Sequence, residues 1–270
     1  MKKRICTLLL ALCLTLGLLP AAAQAAGDGS GTFDTVRWTL DADGGLTVSG
    51  TGDLPDSAFA GRTDIVTVTF TGQVARIGRS AFAGCTQLRR VDGFGAVTCV
   101  MSQAFAGCTA LTELAVPGTV TEIGTGAFSA CTGLTAVTLA PGVRSLGAYA
   151  FAACTALRRI DLPDGMTLLG SGLFSGCTAL TELPLPDDVA WVEPRLCENC
   201  TALQNIVLPA AMTEVPRGLL RGCTGLRRVT LQGAVTAVGN GAFAGCDALA
   251  DVYFTGTRAQ WDAVAVGANN

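Results

Sequence analysis

Apolar residues recur along this chain at fixed offsets from a cysteine that returns every 23 residues. The series is Cys85, Cys108, Cys131, Cys154, Cys177, Cys200, Cys223 and Cys246, with no insertion or deletion. Three residues earlier stands Phe82, Phe105, Phe128, Phe151, Phe174 or Phe243, replaced twice, by Cys197 and Leu220. Three residues later comes a leucine, from Leu88 to Leu249, and six later a Val, Leu or Ile, from Val91 to Val252. A second aliphatic series, from Val100 to Val238, lies fifteen residues after each cysteine from Cys85 to Cys223. A weaker ninth copy precedes them in Ala58-Phe59-Ala60-Gly61-Arg62-Thr63, with Arg62 at the cysteine position. A fixed period of this length marks one small unit stacked on copies of itself.

Within a unit, Leu111 to Val116 alternates inward apolar and outward residues, which predicts a strand. Pro117, Pro163, Pro186 and Pro209 end that strand, because proline has no N–H for a ladder. A second extended piece follows, such as Val120 to Ile123, and then Gly124. The Gly-Ala-Phe-Ser-Ala-Cys stretch is too short for an independent helix and reads as one helical turn closing the coil. Adjacent coils would pair their strands in parallel at roughly 4.8 Å, so nine coils give a sheet on the order of 40 Å long.

The ends depart from the repeat, as a stack with two open faces requires. Val36 to Leu40, a turn at Asp41-Ala42-Asp43-Gly44-Gly45 and Leu46 to Ser49 predict a hairpin. The stretch Tyr253 to Val266, with Trp261, reads as the opposite cap. Residues 1–25 carry the marks of a secretory signal: basic Lys2, Lys3 and Arg4, an apolar run from Ile5 to Leu19, and the small-residue site Ala23-Gln24-Ala25. The chain therefore divides into a signal at 1–25, a linker and cap hairpin at 26–57, the solenoid at 58–252 and a C-terminal cap at 253–270. The expected location is outside the cell, secreted or on the surface, with no membrane insertion once the signal is removed.

Charge and composition narrow the function. Setting aside the signal leaves 15 arginines, no lysine and 21 acidic residues, a net charge of −6. Such a surface lacks the basic footprint of a nucleic-acid binder. Histidine is absent, which removes Ser-His-Asp and Cys-His catalysis and every His-based metal site. The expected protein is not an enzyme and carries no cofactor and no metal.

The unit resembles the BspA-like class of bacterial leucine-rich repeats, also found in treponemal surface proteins. The residues that carry the resemblance are Leu111-Thr112-Glu113-Leu114-Ala115-Val116-Pro117, Val120-Thr121-Glu122-Ile123-Gly124, Gly126-Ala127-Phe128 and Cys131, recurring in phase over about residues 57 to 254. Trp38-Thr39-Leu40-Asp41 and Ser49-Gly50-Thr51-Gly52 are similar to the family's N-terminal cap, and Gly256-Thr257 with Gln260-Trp261 to its C-terminal cap. In similar proteins that cap runs on into a final strand, whereas here the sequence stops at Asn269-Asn270, which leaves its completeness open. The resemblance implies a secreted or cell-surface protein used in adhesion or protein recognition, with no common ligand. The expected fold is a β-rich leucine-rich repeat solenoid: a parallel sheet with short helical turns, capped by an N-terminal hairpin.

Candidate sites compete with structural explanations. Equivalent cysteines in stacked coils point the same way, too far apart for disulfide Cβ separations of about 3.5–4.5 Å. They are expected to be buried free thiols. Cys197-Glu198-Asn199-Cys200 has the spacing of a redox pair, but Cys200 is a ladder cysteine and Cys197 fills a phenylalanine slot. Cys99 takes an outward slot, the place of an exposed thiol. Asp41-Ala42-Asp43-Gly44 suggests a calcium loop but lacks the later acidic ligand. Asn199-Cys200-Thr201 matches a glycosylation acceptor and arises from the repeat itself.

The outward strand positions form the candidate partner-binding face: Arg90, Asp92, Glu113, Arg159, Asp161, Glu182, Arg228, Asp251 and Tyr253, together with Trp191. In-register stacking would make Arg90–Glu113, Arg159–Glu182 and Arg228–Asp251 cross-strand neighbours, either as a structural charge ladder or as a banded recognition surface. Trp191, between inward Val189 and Val192, is either a binding hot spot or the cover of a packing gap. The expected partner is an extracellular protein, with a glycan as the alternative. A thiol oxidoreductase working through Cys197 and Cys200 is the least supported reading.

Overall fold

The computed structural model describes residues 29–270; the expected signal at 1–25 lies outside them. The chain opens with an antiparallel three-stranded cap, Gly29–Phe33 against Val36–Leu40 against Gly45–Leu54. The predicted turn is closed by Asp41, whose Oδ1 accepts the N–H groups of Asp43 and Gly45 at 3.0 and 2.7 Å. That carboxylate serves the turn. The ten-residue strand Gly45–Leu54 then starts both sheets of the solenoid. Its first half pairs in parallel with Thr67–Phe70, its second half with Gln73–Ile77.

Each following coil contributes one longer strand and one two-residue strand. The longer strands pair in parallel and in register across Glu113–Val116, Ala136–Leu139 and Arg159–Asp161, and again across Asn205–Val207, Arg228–Leu231 and Asp251–Phe254. The short strands Cys99–Val100, Glu122–Ile123, Ser145–Leu146 and Leu168–Leu169 form a second parallel series. Alternation along Glu113–Val116 sends Leu114 and Val116 into the core and Glu113 and Ala115 to solvent.

The closing segment differs from the expected helical turn. It is a run of tight turns, in which Ala127, Ser129 and Cys131 donate back to Gly124, Gly126 and Phe128. The alternate N–H groups of Gly126, Phe128 and Ala130 point along the stack to Ala148, Ala150 and Ala152 of the next coil, at 2.7–2.8 Å. Two residues per coil hold the left-handed conformation needed to aim them, Gly126 (φ 62°) and Ala130 (φ 57°). A helix would spend those N–H groups inside one coil; here they add a third ladder to the two sheets. Asn199 (φ 62°) occupies one of these left-handed positions, which asparagine tolerates better than most residues.

The core is one continuous column. Phe59, Phe82, Phe105, Phe128, Phe151 and Phe174 stack ring on ring at 5.0–6.1 Å between centroids. Each ladder cysteine is a free thiol. Its Sγ donates to the carbonyl at the phenylalanine slot of the preceding coil, for example Cys108 to Phe82 and Cys131 to Phe105, each at 3.2 Å. The cysteine is thus a small apolar residue and a donor to a buried carbonyl at once, which alanine could not be.

The repeat is interrupted at two places. In the coil after Cys85, Gly93 occupies the slot of Val116, and Phe94 at the next position turns inward, 2% exposed and stacked on Phe70 at 6.3 Å. The strand pairing shifts register there. In the coil Cys177–Asn199 both sheets break. Pro184 removes a ladder N–H, and the long-strand pairing shrinks to a single bridge, Arg159 to Glu182. No strand forms at Trp191, and the short-strand series resumes at Glu214–Val215.

At the far end, Arg258–Asp262 is the one α-helix among the described residues. Thr257 caps it with Gln260 in a reciprocal capping box, and Trp261 packs on Phe254 at 5.5 Å. The chain then runs into Ala265–Val266, which pairs in parallel with Ala237–Val238. Two residues without apolar alternation give no strand signal in the sequence. The last coil is thinly covered, with Val252 44% exposed where Val229 is fully buried.

Candidate recognition surface

The ten outward candidates divide between two faces. Arg90, Asp92, Glu113, Arg159, Asp161, Glu182, Arg228, Asp251 and Tyr253 lie on the long-strand face, whereas Trp191 belongs to the face of the short strands. Residues 23 apart share a slot, and Trp191 follows Cys99, Glu122, Ser145 and Leu168 in the short-strand series. Leu168 and Trp191 are 41% and 52% exposed.

Two of the three anticipated cross-strand pairs form. Arg159 meets Glu182 at 2.5 Å and Arg228 meets Asp251 at 3.2 Å. Arg159 also bonds Asp161 on its own strand at 2.8 Å. The third does not form: Arg90 pairs with Asp92 two residues along its own strand. The reason is the Gly93–Phe94 irregularity, which separates the strand Arg90–Gly93 from Glu113–Val116. Exposed pairs of this kind are screened by solvent, so they tune the surface more than they hold the fold. The Arg228 guanidinium also lies 5.0 Å from the centre of the Tyr253 ring, which clusters charge and aromatic surface near the last coils.

The broken coil is also where the surface becomes concave. Beside Pro184, a notch of about 320 Å³ is bounded by Arg159, Glu182, Leu185, Asp187, Asn205 and Val207. Val207 is 53% exposed on its floor. On the short-strand side, a groove of about 430 Å³ runs from Trp191 past Pro194 and Pro216 to Ala237 and Val266. The Trp191 Nε1 points to Glu193 Oε1 at 3.4 Å.

Sequence reasoning missed Arg195, Arg217 and Arg221, which surround a third cavity of about 340 Å³ at the closing turns. They sit in three different slots of adjacent coils, so no single column reveals them. Offsets of 22 and 26 residues, one short of a coil and three beyond it, would have been the signal.

The cysteines behave as core. Burial pushes the Cys85 and Cys154 thiols up to about 12. Cys197 and Cys200 are both fully buried, and Cys200 is raised by its hydrogen bond with Cys197 and then by burial. Cys99 is half-buried rather than exposed, with Sγ 3.6 Å from Met101 Sδ, and burial followed by Glu122 raises its pKa. A thiol reagent added to native protein is expected to modify Cys99 first and the partly buried Cys246 more slowly. The other eight described cysteines should react only after denaturation; peptide mapping that found ladder cysteines joined in disulfides would overturn this.

Comparison with known proteins agrees with this geometry. The family model for the BspA type leucine rich repeat region matches in six copies, over residues 52–177 and 144–265. No curated protein matches the chain. Among solved structures, a leucine-rich repeat protein from Bacteroides ovatus is 22% identical with a TM-score of 0.56, over 88% of this chain and 78% of that one. A leucine rich cell surface protein from Faecalibacterium prausnitzii is 19% identical with a TM-score of 0.52, over 89% and 98%. With in-phase repeats matched over most of its length, the chain belongs to the BspA-type leucine-rich repeat family.

Proposed function

We propose that this protein is an extracellular recognition module that binds another protein through the outward side chains of its coils. The observation that carries this reading is the contrast between slots. Inward positions repeat almost unchanged from coil to coil, whereas outward ones vary and leave Arg159, Glu182, Trp191, Val207 and Tyr253 exposed. A stack of this kind offers an extended surface whose chemistry changes along its length without disturbing the core. The family and the description of the Faecalibacterium neighbour as a cell surface protein support an outside location.

The test is a pull-down with residues 26–270 against surface extracts of host and neighbouring cells. Saturable capture of a protein, lost when Arg159 and Glu182 or Trp191 are replaced by alanine, is the expected outcome. Capture insensitive to every outward substitution would sink the reading. Glycan binding is less well supported, because the exposed aromatics Tyr149, Trp191 and Tyr253 sit in three different series of slots and form no common stacking platform. Thiol redox chemistry needs an accessible, low-pKa cysteine; Cys197 and Cys200 are buried with raised pKa values.

A further inference from the structure

From Gln103 onward, the left-handed position that opens each closing turn alternates between a long side chain and a glycine, after serine in the first two turns. The pairs are Gln103 and Gly126, Tyr149 and Gly172, Arg195 and Gly218, one coil apart. In each pair the long side chain lies across the glycine of the next coil. A Cβ on Gly126 would sit 3.5 Å from Gln103 Cγ, one on Gly218 would sit 3.4 Å from Arg195 Cγ, and one on Gly172 would collide with the Tyr149 ring. The alternation fails once, where Gly241 follows Gly218. Two successive glycines leave that stretch without a covering side chain, and the cavity of about 340 Å³ opens there.

Its walls are strongly basic for so acidic a chain. Arg195, Arg217 and Arg221 line it with Asn240 and Asn269. Glu198 is the one carboxylate within reach among the described residues, 3.9 Å from Arg195 and 3.6 Å from Arg221. Three guanidinium groups thus face a single carboxylate, and Arg217 has no ion pair among the described residues. Arg217 also walls the adjoining groove of Trp191, Pro194, Pro216, Ala237 and Val266. The two concavities therefore share Arg217 as a common wall, basic on one side and apolar on the other.

We propose that this joined site binds an acidic peptide segment of a partner protein, with its carboxylates at Arg195, Arg217 and Arg221 and a neighbouring apolar side chain against Trp191. The inference rests on the protein-recognition reading and specifies its partner. Charge sets the direction: Glu193 and Glu214 flank the apolar groove and repel carboxylates from it, while the arginines attract them. The groove lining is mostly aliphatic, with polar side chains only at Glu214, Arg217 and the Trp191 indole. Sugar hydroxyls would go largely unpaired there, at a desolvation cost that an aliphatic side chain avoids.

The probe is a fluorescein-labelled peptide, GEEGLLG, with GQQGLLG as its uncharged control, titrated into residues 26–270 by fluorescence anisotropy. Saturable binding of GEEGLLG that weakens with salt is expected, with Arg217→Ala lowering affinity about tenfold, Trp191→Ala about fivefold and Arg37→Ala, exposed on the N-terminal cap, less than about twofold. Circular dichroism of each variant checks that the fold is kept. No saturable binding of GEEGLLG, equal binding of GQQGLLG, or binding that survives Arg217→Ala overturns the proposal. So does tighter, Arg217-dependent binding of an oligo-uronic acid, which would assign the site to acidic glycans. The pull-down separates the two claims: a partner retained by the Arg217→Ala, Trp191→Ala double variant overturns this site and leaves protein recognition standing.

Discussion

Raising the pH from 8 to 11 is expected to unfold this protein cooperatively. Burial holds the Cys85 and Cys154 thiols up at about 12 and raises Cys108, Cys131, Cys177 and Cys223 as well. In the unfolded chain a cysteine titrates near 8.5, as free cysteines do. Between those values the folded chain keeps a proton that the unfolded chain releases. Stability from these groups is fully present below about pH 8.5 and is lost as pH rises toward the folded values. Each thiol contributes a loss of roughly 1.4 kcal/mol per pH unit in that window, so these six together cost on the order of 8 kcal/mol per unit. Domains are stable by only about 5–15 kcal/mol, so one to two pH units should exhaust the margin. Denaturant midpoints followed by circular dichroism between pH 7 and 11 check this. Replacing Cys108, Cys131 and Cys154 by alanine should flatten the pH slope while lowering stability at pH 7. A midpoint that stays level from pH 8 to 11 would refute the account.

The second large effect is in the ring column. Phe128→Ala should destabilise the protein by about 3–5 kcal/mol, the usual range for emptying a buried aromatic site. Phe128 is fully buried between Phe105 at 5.2 Å and Phe151 at 5.5 Å. Three inter-coil ladders hold its backbone in place, which limits how far neighbours can collapse into the space. Phe128→Leu should cost less than half as much, since Leu220 already fills the equivalent slot with no exposure. Thermal unfolding of the two variants decides it, and equal losses would show that the ring itself, rather than the volume it fills, carries the stability.

The scaffold was legible because one unit is written many times. The inward slots, from Phe82 to Leu249, are fixed by stacking, and repetition averages away local ambiguity. The features that escaped are those a repeat hides. The inversion of Gly93 and Phe94 breaks the column by one residue, and it cost the expected Arg90–Glu113 pair. Six residues carry too little periodicity to separate the closing turn from a helical turn, and the left-handed conformations of Ala130 and Ala153 are set by ladders between coils. On the surface, the Arg159 and Arg228 pairs follow from in-register stacking and could be read in advance. The arginine cavity could not, because Arg195, Arg217 and Arg221 meet across slots and across coils.

The coil Cys177–Asn199 also has a mechanical meaning. Elsewhere a pull along the stack is shared among two strand ladders, the turn ladder and the phenylalanine column. In this coil the strand contacts shrink to isolated bonds such as Arg159–Glu182 and Glu193 to Leu169, and the rings end at Phe174. The turn ladder continues through it, as in Phe174 to Leu196 and Cys197 to Leu219. The rod is therefore two stiff blocks in series joined by a softer coupling, and tension on a bound partner would bend or part it there first.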